Sequence, residues 1–267
     1  EFVTKVLGRP GSKMGVLRAA FAGVLLDLCS HGILVVGMQL YRRGASLGQV
    51  MAFIIASPWN SFSLTLILWS LVGFGWMMSF LLLSMLIAVF SGLFFDHLVK
   101  KGVLKKNMNE EMDVSEFHFF KEMISLLKKA KYSFSNLMNL IFVGLKQSRM
   151  ILRWIFFGVV LASLIRTFVP VHMFETYFGP SVLGLGMTLV LATVLEVCSE
   201  GSAPIAADLL NKAFAPGNSF GFLMTGVSTD YTEIMSLKET TGSWKIAFFL
   251  PLVTLPQIIM LSLLLNY

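Results

Sequence analysis

From Gly44 to Phe95 the chain runs 52 positions without a charged residue or a histidine. That is long enough for about two membrane spans at roughly 20 residues each. A second uncharged run of 22 positions, Ile246 to Tyr267, supplies another. Only 13% of the 267 residues are charged, against about 25% in soluble domains, and 56% are hydrophobic, 24 of them Phe. The solvent for most of this sequence is therefore hydrocarbon. In that setting the net charge of +6 reports topology rather than nucleic acid, because Lys and Arg collect on the cytoplasmic side of membrane proteins. Two cysteines, Cys29 and Cys198, do not make a disulfide framework.

Those two cysteines open the same polar tetrad, Cys-Ser-x-Gly, each time directly after an aliphatic run: "DLCSHGILV" at 27–35 and "EVCSEGSAP" at 196–204. Shifted by 169 without a gap, Gly15 falls on Gly184, Cys29 on Cys198, Ser30 on Ser199 and Gly32 on Gly201. Leu40 falls on Leu209, Gly48 on Gly217, Phe53 on Phe222 and Gly73 on Gly242, with Asp27 on Glu196, Arg43 on Lys212 and Asn60 on Thr229. Chance alignment of apolar segments matches Leu with Val, not Cys, Ser and Gly at fixed intervals, so the chain reads as a duplication. An apolar span, Trp154 to Val169, precedes the second copy and has no equivalent before the first. The expectation is that a further helix precedes Glu1.

Each copy contains three elements. The first, about 15–42 and 184–211, is interrupted by the tetrad. The second, about 47–72 and 216–241, is interrupted by "ASPWNS" at 56–61 or "TGVSTD" at 225–230, and the third is a plain span, 74–95 or 244–265. Gly, Pro and Asn break helices. Unwound backbone at membrane depth is tolerated only inside protein or against an aqueous cavity, and paired broken helices in two halves point to a transporter site near the midplane.

Between the copies, residues 96–131 hold eight Lys and six acidic residues and lead into the amphipathic stretch "FFKEMISLLKKAKYSF", which places this linker in the cytoplasm. If the first element of each copy is a re-entrant hairpin, Arg9, Lys13, Arg18, Arg42, Arg43, Lys238 and Lys245 also fall on the cytoplasmic side, with Lys212 and Arg166 as exceptions. A full crossing would put five of them outside. The expected fold is thus an all-α polytopic membrane protein of two inverted repeats, each a re-entrant or broken helix pair plus a plain span. Its parts are a first membrane repeat (1–95), a basic cytoplasmic linker with an amphipathic helix (96–149) and a second membrane repeat (150–267), in the bacterial inner membrane.

A Cys-Ser-x-Gly tip supplies Gly for the turn, a thiol and a hydroxyl for a ligand, and free amides at the start of the outgoing half-helix, where an anion or polarisable ligand is favoured. The substrate-binding candidates are Cys29, Ser30, His31, Gly32, Ser57, Asn60, Cys198, Ser199, Glu200, Gly201, Thr225, Ser228, Thr229 and Asp230. His31, Glu200 and Asp230 are also candidates for proton coupling, since an intramembrane ionisable group is functional by default. Asp27, Glu196, Asp208 and Glu233 each need a partner, a proton or water by the same reasoning. His31 and Glu200 occupy equivalent positions and form a cation–anion pair if the tips meet. A metal set of Cys29, Cys198, His31 and Glu200 requires the same meeting, and His97, His118 and His172 lie at or beyond span ends.

At these residues the sequence resembles the predicted permease family typified by organoarsenical efflux permeases (ArsP-like, formerly a domain of unknown function). "CSHG" at 29–32, "RRGAS" at 42–46 and "MAFIIASPWNS" at 51–61 match its first motif, and "CSEGSAPIA" at 198–206 with "FGFLMTGVSTDYTE" at 220–233 the second copy. His31 stands where the family has a second Cys, so the thiol cluster expected for trivalent arsenic is incomplete. The resemblance implies a secondary-active permease that moves a small arsenical, metal or other soft or anionic solute by alternating access, with arsenical resistance by efflux as the family's role.

No Walker A loop, dinucleotide fingerprint or HExxH is present, so the chain is read as a transporter that uses no cofactor. The alternatives are an intramembrane thiol enzyme with Cys29 or Cys198 as nucleophile and His31 as base, or a channel or scaffold subunit. The expected partners are a small-molecule or ion substrate and the lipid bilayer, with no nucleic acid; self-association into a homo-oligomer stays open.

Overall fold

A chain in hydrocarbon must satisfy its backbone within each segment, and helices do this without edges. The computed structural model describes residues 10–26, 30–56, 62–111, 160, 177–195 and 199–267, and these contain helix and no strand. The main helices of the first half are α1 (Lys13–Leu25), α2 (Ser30–Arg42), α3 (Leu47–Ile55), α4 (Phe62–Val72) and α5 (Phe74–Lys100). Those of the second are α6 (Val182–Val194), α7 (Ser199–Asn211), α8 (Pro216–Thr229), α9 (Tyr231–Thr241) and α10 (Trp244–Asn266). A short 3₁₀ turn, Met108–Glu111, follows α5.

The element bounds follow local chemistry. The Ser12 hydroxyl accepts from Gly15 N at 2.9 Å and the Ser181 hydroxyl from Gly184 N at 3.0 Å, capping α1 and α6. α3 opens on a capping box between Ser46 and Gln49. Gly73 and Gly242, with φ of 85° and 65°, turn the chain from α4 into α5 and from α9 into α10, a left-handed conformation that glycine adopts without Cβ strain. A shift of 169 carries the bounds of α1 onto α6, α2 onto α7 and α4 onto α9.

Hydrogen bonds at the helix ends fix the topology. Asp96, near the end of α5, accepts from Gly48 N at 2.8 Å and from the Ser46 hydroxyl at 3.2 Å, so the start of α3 sits on the end of α5. Lys100 Nζ donates to Gly11 O at 3.4 Å, which brings the start of α1 to the same place. Both ends of the α1–α2 pair therefore lie at the C-terminal end of α5, and the pair is a hairpin. In the second half, Asn266 Oδ1 accepts from Gly217 N at 2.8 Å, while Asn218 Nδ2 donates to Phe178 O and Gly179 O at 2.7 and 2.9 Å. The starts of α6 and α8 thus meet at the end of α10, and α6–α7 is a second hairpin. Finally, Asn211 Nδ2 donates to Leu71 O at 3.0 Å. This puts the end of α7 at the end of α4, next to the N-terminal end of α5, which at 27 residues is about 40 Å long. The second hairpin is rooted at the opposite end of α5 from the first.

α5 and α10 cross, joined by a 2.9 Å bond from Gln257 Nε2 to Ser91 Oγ, and Phe80 of α5 packs on Phe220 of α8 with ring centroids 5.6 Å apart. α5 and α10 are the described helices long and apolar enough to cross a membrane. In their most apolar stretches only 39% and 28% of residues are buried, the reverse of a soluble core helix. Leu82, Leu86 and Phe90 on α5, and Phe248 and Leu252 on α10, form an outward apolar face suited to lipid. The helix α5 runs five residues past Phe95, to Lys100, and Asp96 turns inward to cap α3.

Asp96 is itself 7% exposed. Loss of a helix-capping side chain costs about 0.5–2 kcal/mol, so Asp96→Ala should lower the unfolding midpoint of the detergent-solubilised protein by several degrees. Asp96→Asn, which keeps an acceptor, should recover most of that loss in the same thermal assay.

Candidate functional site

Two kinds of helix break define the site. At the tetrads, the helix ends after Leu25 and resumes at Ser30, and ends after Val194 and resumes at Ser199. Ser30, His31, Ser199 and Glu200 thus form the first turns of α2 and α7, with Gly32 half-buried and Gly201 buried behind them. Cys29, Cys198, Asp27 and Glu196 lie outside the described residues, as do Ser57 and Asn60 of the first-half break.

The second-half break differs from expectation. The composition of "TGVSTD" predicts unwinding over 225–230, yet α8 stays helical through Thr229 and the chain departs only at Asp230, with φ −57° and ψ 125°. Side-chain hydroxyls hold this last turn: Ser228 Oγ donates to Met224 O at 3.0 Å and Thr229 Oγ1 to Thr225 O at 2.8 Å. Thr229 also meets Thr193, at the end of α6, at 3.3 Å. Asp230 Oδ1 accepts from Thr232 N and from Thr232 Oγ1, both at 2.7 Å, which makes it the N-cap of α9. Thr225 is fully buried and its Oγ1 has no hydrogen-bond partner.

The tetrad helices pack across the two halves. α2 lies against α9, and α7 lies against α4. Each helix that leaves a tetrad thus neighbours the helix that leaves a break in the other half. In the second of these pairs the C-terminal ends are the ones joined by the Asn211–Leu71 bond.

Among the other carboxylates, Asp208 is paired with Lys212 Nζ at 3.1 Å, four residues on. Glu233 is 3% exposed and its Oε2 has no hydrogen-bond partner. Sequence reasoning ranks Glu233 only as one of several intramembrane carboxylates. The signal available is its place: it stands one helical turn after Asp230, where the first copy has Leu64. Among the described residues no group of three or more His, Cys, Asp or Glu could hold a metal ion.

A chain whose described residues are helical, with two lipid-suited spans among them, paired hairpins and interrupted helices, is an integral membrane protein with a transporter-like role. It belongs to the predicted permease family, whose match covers residues 1–267. One relative, a protein of Streptococcus mutans named as a candidate subunit of a two-component membrane permease complex, is 22% identical over 98% of this chain and 82% of its own. Another, the UPF0718 protein MJ0584 of Methanocaldococcus jannaschii, is 22% identical over 96% of this chain and 83% of its own. No solved structure is significantly similar. The family and the permease-named relative favour a transporter over an enzyme.

Proposed function

We propose that the protein is a secondary-active permease of two inverted repeats, which moves a small anionic or soft solute by alternating access around its two Cys-Ser-x-Gly tips. The observation that carries this reading is the exchange of packing, α2 on α9 and α7 on α4. A two-fold relation between halves produces such reciprocal contacts. The rooting of the two hairpins at opposite ends of α5 supports inversion, because side-by-side copies of one orientation would root both at the same end. The breaks and tips then share one interface, and four helix N-termini, those of α2, α4, α7 and α9, start there. Their positive dipole ends favour negative charge or a polarisable group. Cys29, Ser30, His31, Gly32, Ser57 and Asn60 of one half, with Cys198, Ser199, Glu200, Gly201, Thr225, Ser228, Thr229 and Asp230 of the other, line this interface, and His31, Glu200 and Asp230 are its proton-coupling groups. The linker, 96–149, is cytoplasmic between membrane repeats at 1–95 and 150–267. A partner subunit, as in the complex for which the streptococcal relative is named, or a second copy of the chain completes the assembly.

The transport reading is tested by uptake of a labelled trivalent arsenical, or of a soft anion, into everted vesicles with and without a proton gradient. Gradient-dependent uptake is expected, and a flux indifferent to the gradient would indicate a channel instead. Inversion has its own test. In a background without native thiols, Lys212→Cys should react with an impermeant maleimide from outside and Lys238→Cys only from the cytoplasmic side; labelling of both from one side would refute opposed halves.

A further inference from the structure

Besides His31 and Glu200, the duplication leaves an asymmetry at the α8–α9 break. Where the first copy has Ala56 and Leu64, both buried apolar residues, the second has Thr225 and Glu233. Both replacements are buried, and both carry an oxygen without a hydrogen-bond partner, Thr225 Oγ1 and Glu233 Oε2. They flank the α8–α9 break, one on each side. Asp230, at the break itself, is engaged in capping α9.

Among the described residues, the helices packed against α9 bring no cation into contact with Glu233. α9 packs against α8, α10 and α2. α8 has no titratable residue, and α10 carries only Lys245, which is exposed. On α2, Tyr41 and the exposed Arg42 lie at its far end, and His31 is in its first turn. On α9 itself, Lys238 lies over the Trp244 ring at 5.3 Å, and Glu239 is exposed. A lone carboxylate in such a place is stable only when neutral or newly hydrated. A metal ion such as sodium would demand several converging oxygens, whereas a proton needs one.

We propose that Glu233 is a further group, beside those at the tips, that transport requires for its coupling to protons, taking a proton on Oε2 when the α8–α9 junction is closed and releasing it when the junction opens to water. This rests on the permease reading above and deepens it: the coupling group sits on α9, the helix packed against the first tetrad helix, so a change in its charge bears directly on the tip.

The test uses the full chain in phospholipid vesicles and dicyclohexylcarbodiimide, an apolar reagent that modifies protonated carboxyls. Peptide mass spectrometry should find the adduct on Glu233, and the label should be lost between about pH 6 and about pH 9, a range spanning neutrality widely on the scale of side-chain titration. Glu233→Gln and Glu233→Leu should both lose it; the Leu variant copies the residue already accommodated at Leu64 and so guards against a folding defect. Everted-vesicle uptake of the labelled arsenical by Glu233→Gln should no longer respond to a proton gradient. No adduct at Glu233, an adduct only at Asp230, a label indifferent to pH, or gradient-driven uptake by Glu233→Gln would each overturn the proposal. A pH-dependent adduct on Glu233 in a protein that never shows uptake would leave the proton site standing and remove the permease reading instead.

Discussion

Gly217→Leu should leave no correctly folded protein. A Cβ at Gly217 would collide with the backbone oxygen of Ser262 and stand 2.7 Å from Asn266 Oδ1, the atom that accepts the α8 amide. Gly48 meets Gly92 O in the same way, with Asp96 Oδ1 2.6 Å from its would-be Cβ. These obstacles are backbone and cap groups, which cannot rotate aside like a flexible side chain. Overpacking a site that can adjust costs about 1–3 kcal/mol; here α8 must separate from α10, or α3 from α5, and the cap is lost as well. Against a total stability of about 5–15 kcal/mol the expected outcome is loss of the monodisperse peak in detergent size-exclusion chromatography for Gly217→Leu and Gly48→Leu. Gly226→Ala and Gly75→Ala, with open space around their Cβ positions, should elute as wild type. A normal peak for Gly217→Leu would mean that the close approach of α8 and α10 does not hold the second half together.

The frame of the molecule was legible because the residues that set it are chemically unmistakable in a membrane. Uncharged runs gave α5 and α10, and Gly73 and Gly242 gave the turns into them. The Cys-Ser-x-Gly register marked where the two interruptions fall, but the helices already resume at its Ser, so Gly32 and Gly201, expected to make the turn, lie inside α2 and α7. What failed to show is what depends on which side-chain contacts are made, near or distant in sequence. Asp96 looks like the end of a span because it is charged, but its carboxylate points to Ser46 and Gly48, some fifty residues earlier in the chain. "TGVSTD" looks like an unwound loop because Gly, Ser and Thr are poor helix formers; in place, hydroxyl bonds to carbonyls four residues back keep the turn helical until Asp230. Of the carboxylates, Asp208 could be matched with Lys212 from spacing alone. That Asp230 is engaged as a cap while Glu233 has a bare oxygen is a property of the packed structure.

Glu200→Gln should abolish proton-driven transport without unfolding the protein. Glu200 and His31 hold the same place in the two copies, each one residue past the Ser that opens α7 or α2. A carboxylate without a partner near the bilayer centre costs at least about 2.5–3.5 kcal/mol, whereas a cation and an anion related by a pseudo-two-fold offset each other where two like residues could not. Gln keeps the shape and the hydrogen-bonding capacity of Glu and removes its charge, so the tips still close but no longer respond to pH. In everted vesicles, Glu200→Gln should reduce gradient-driven uptake of the labelled arsenical to background while eluting as wild type in detergent. His31→Ala should keep uptake but displace its pH profile, because, with the tips paired as proposed, the carboxylate loses a neighbour of a type that titrates near neutrality. The two variants separate coupling from architecture: a structural pair would make both equally unstable and leave the pH profile of any surviving transport unchanged. Normal uptake by Glu200→Gln from about pH 5 to about pH 8, a range that brackets an unperturbed histidine, would assign the charge at this tip to structure and leave coupling to the α8–α9 junction alone.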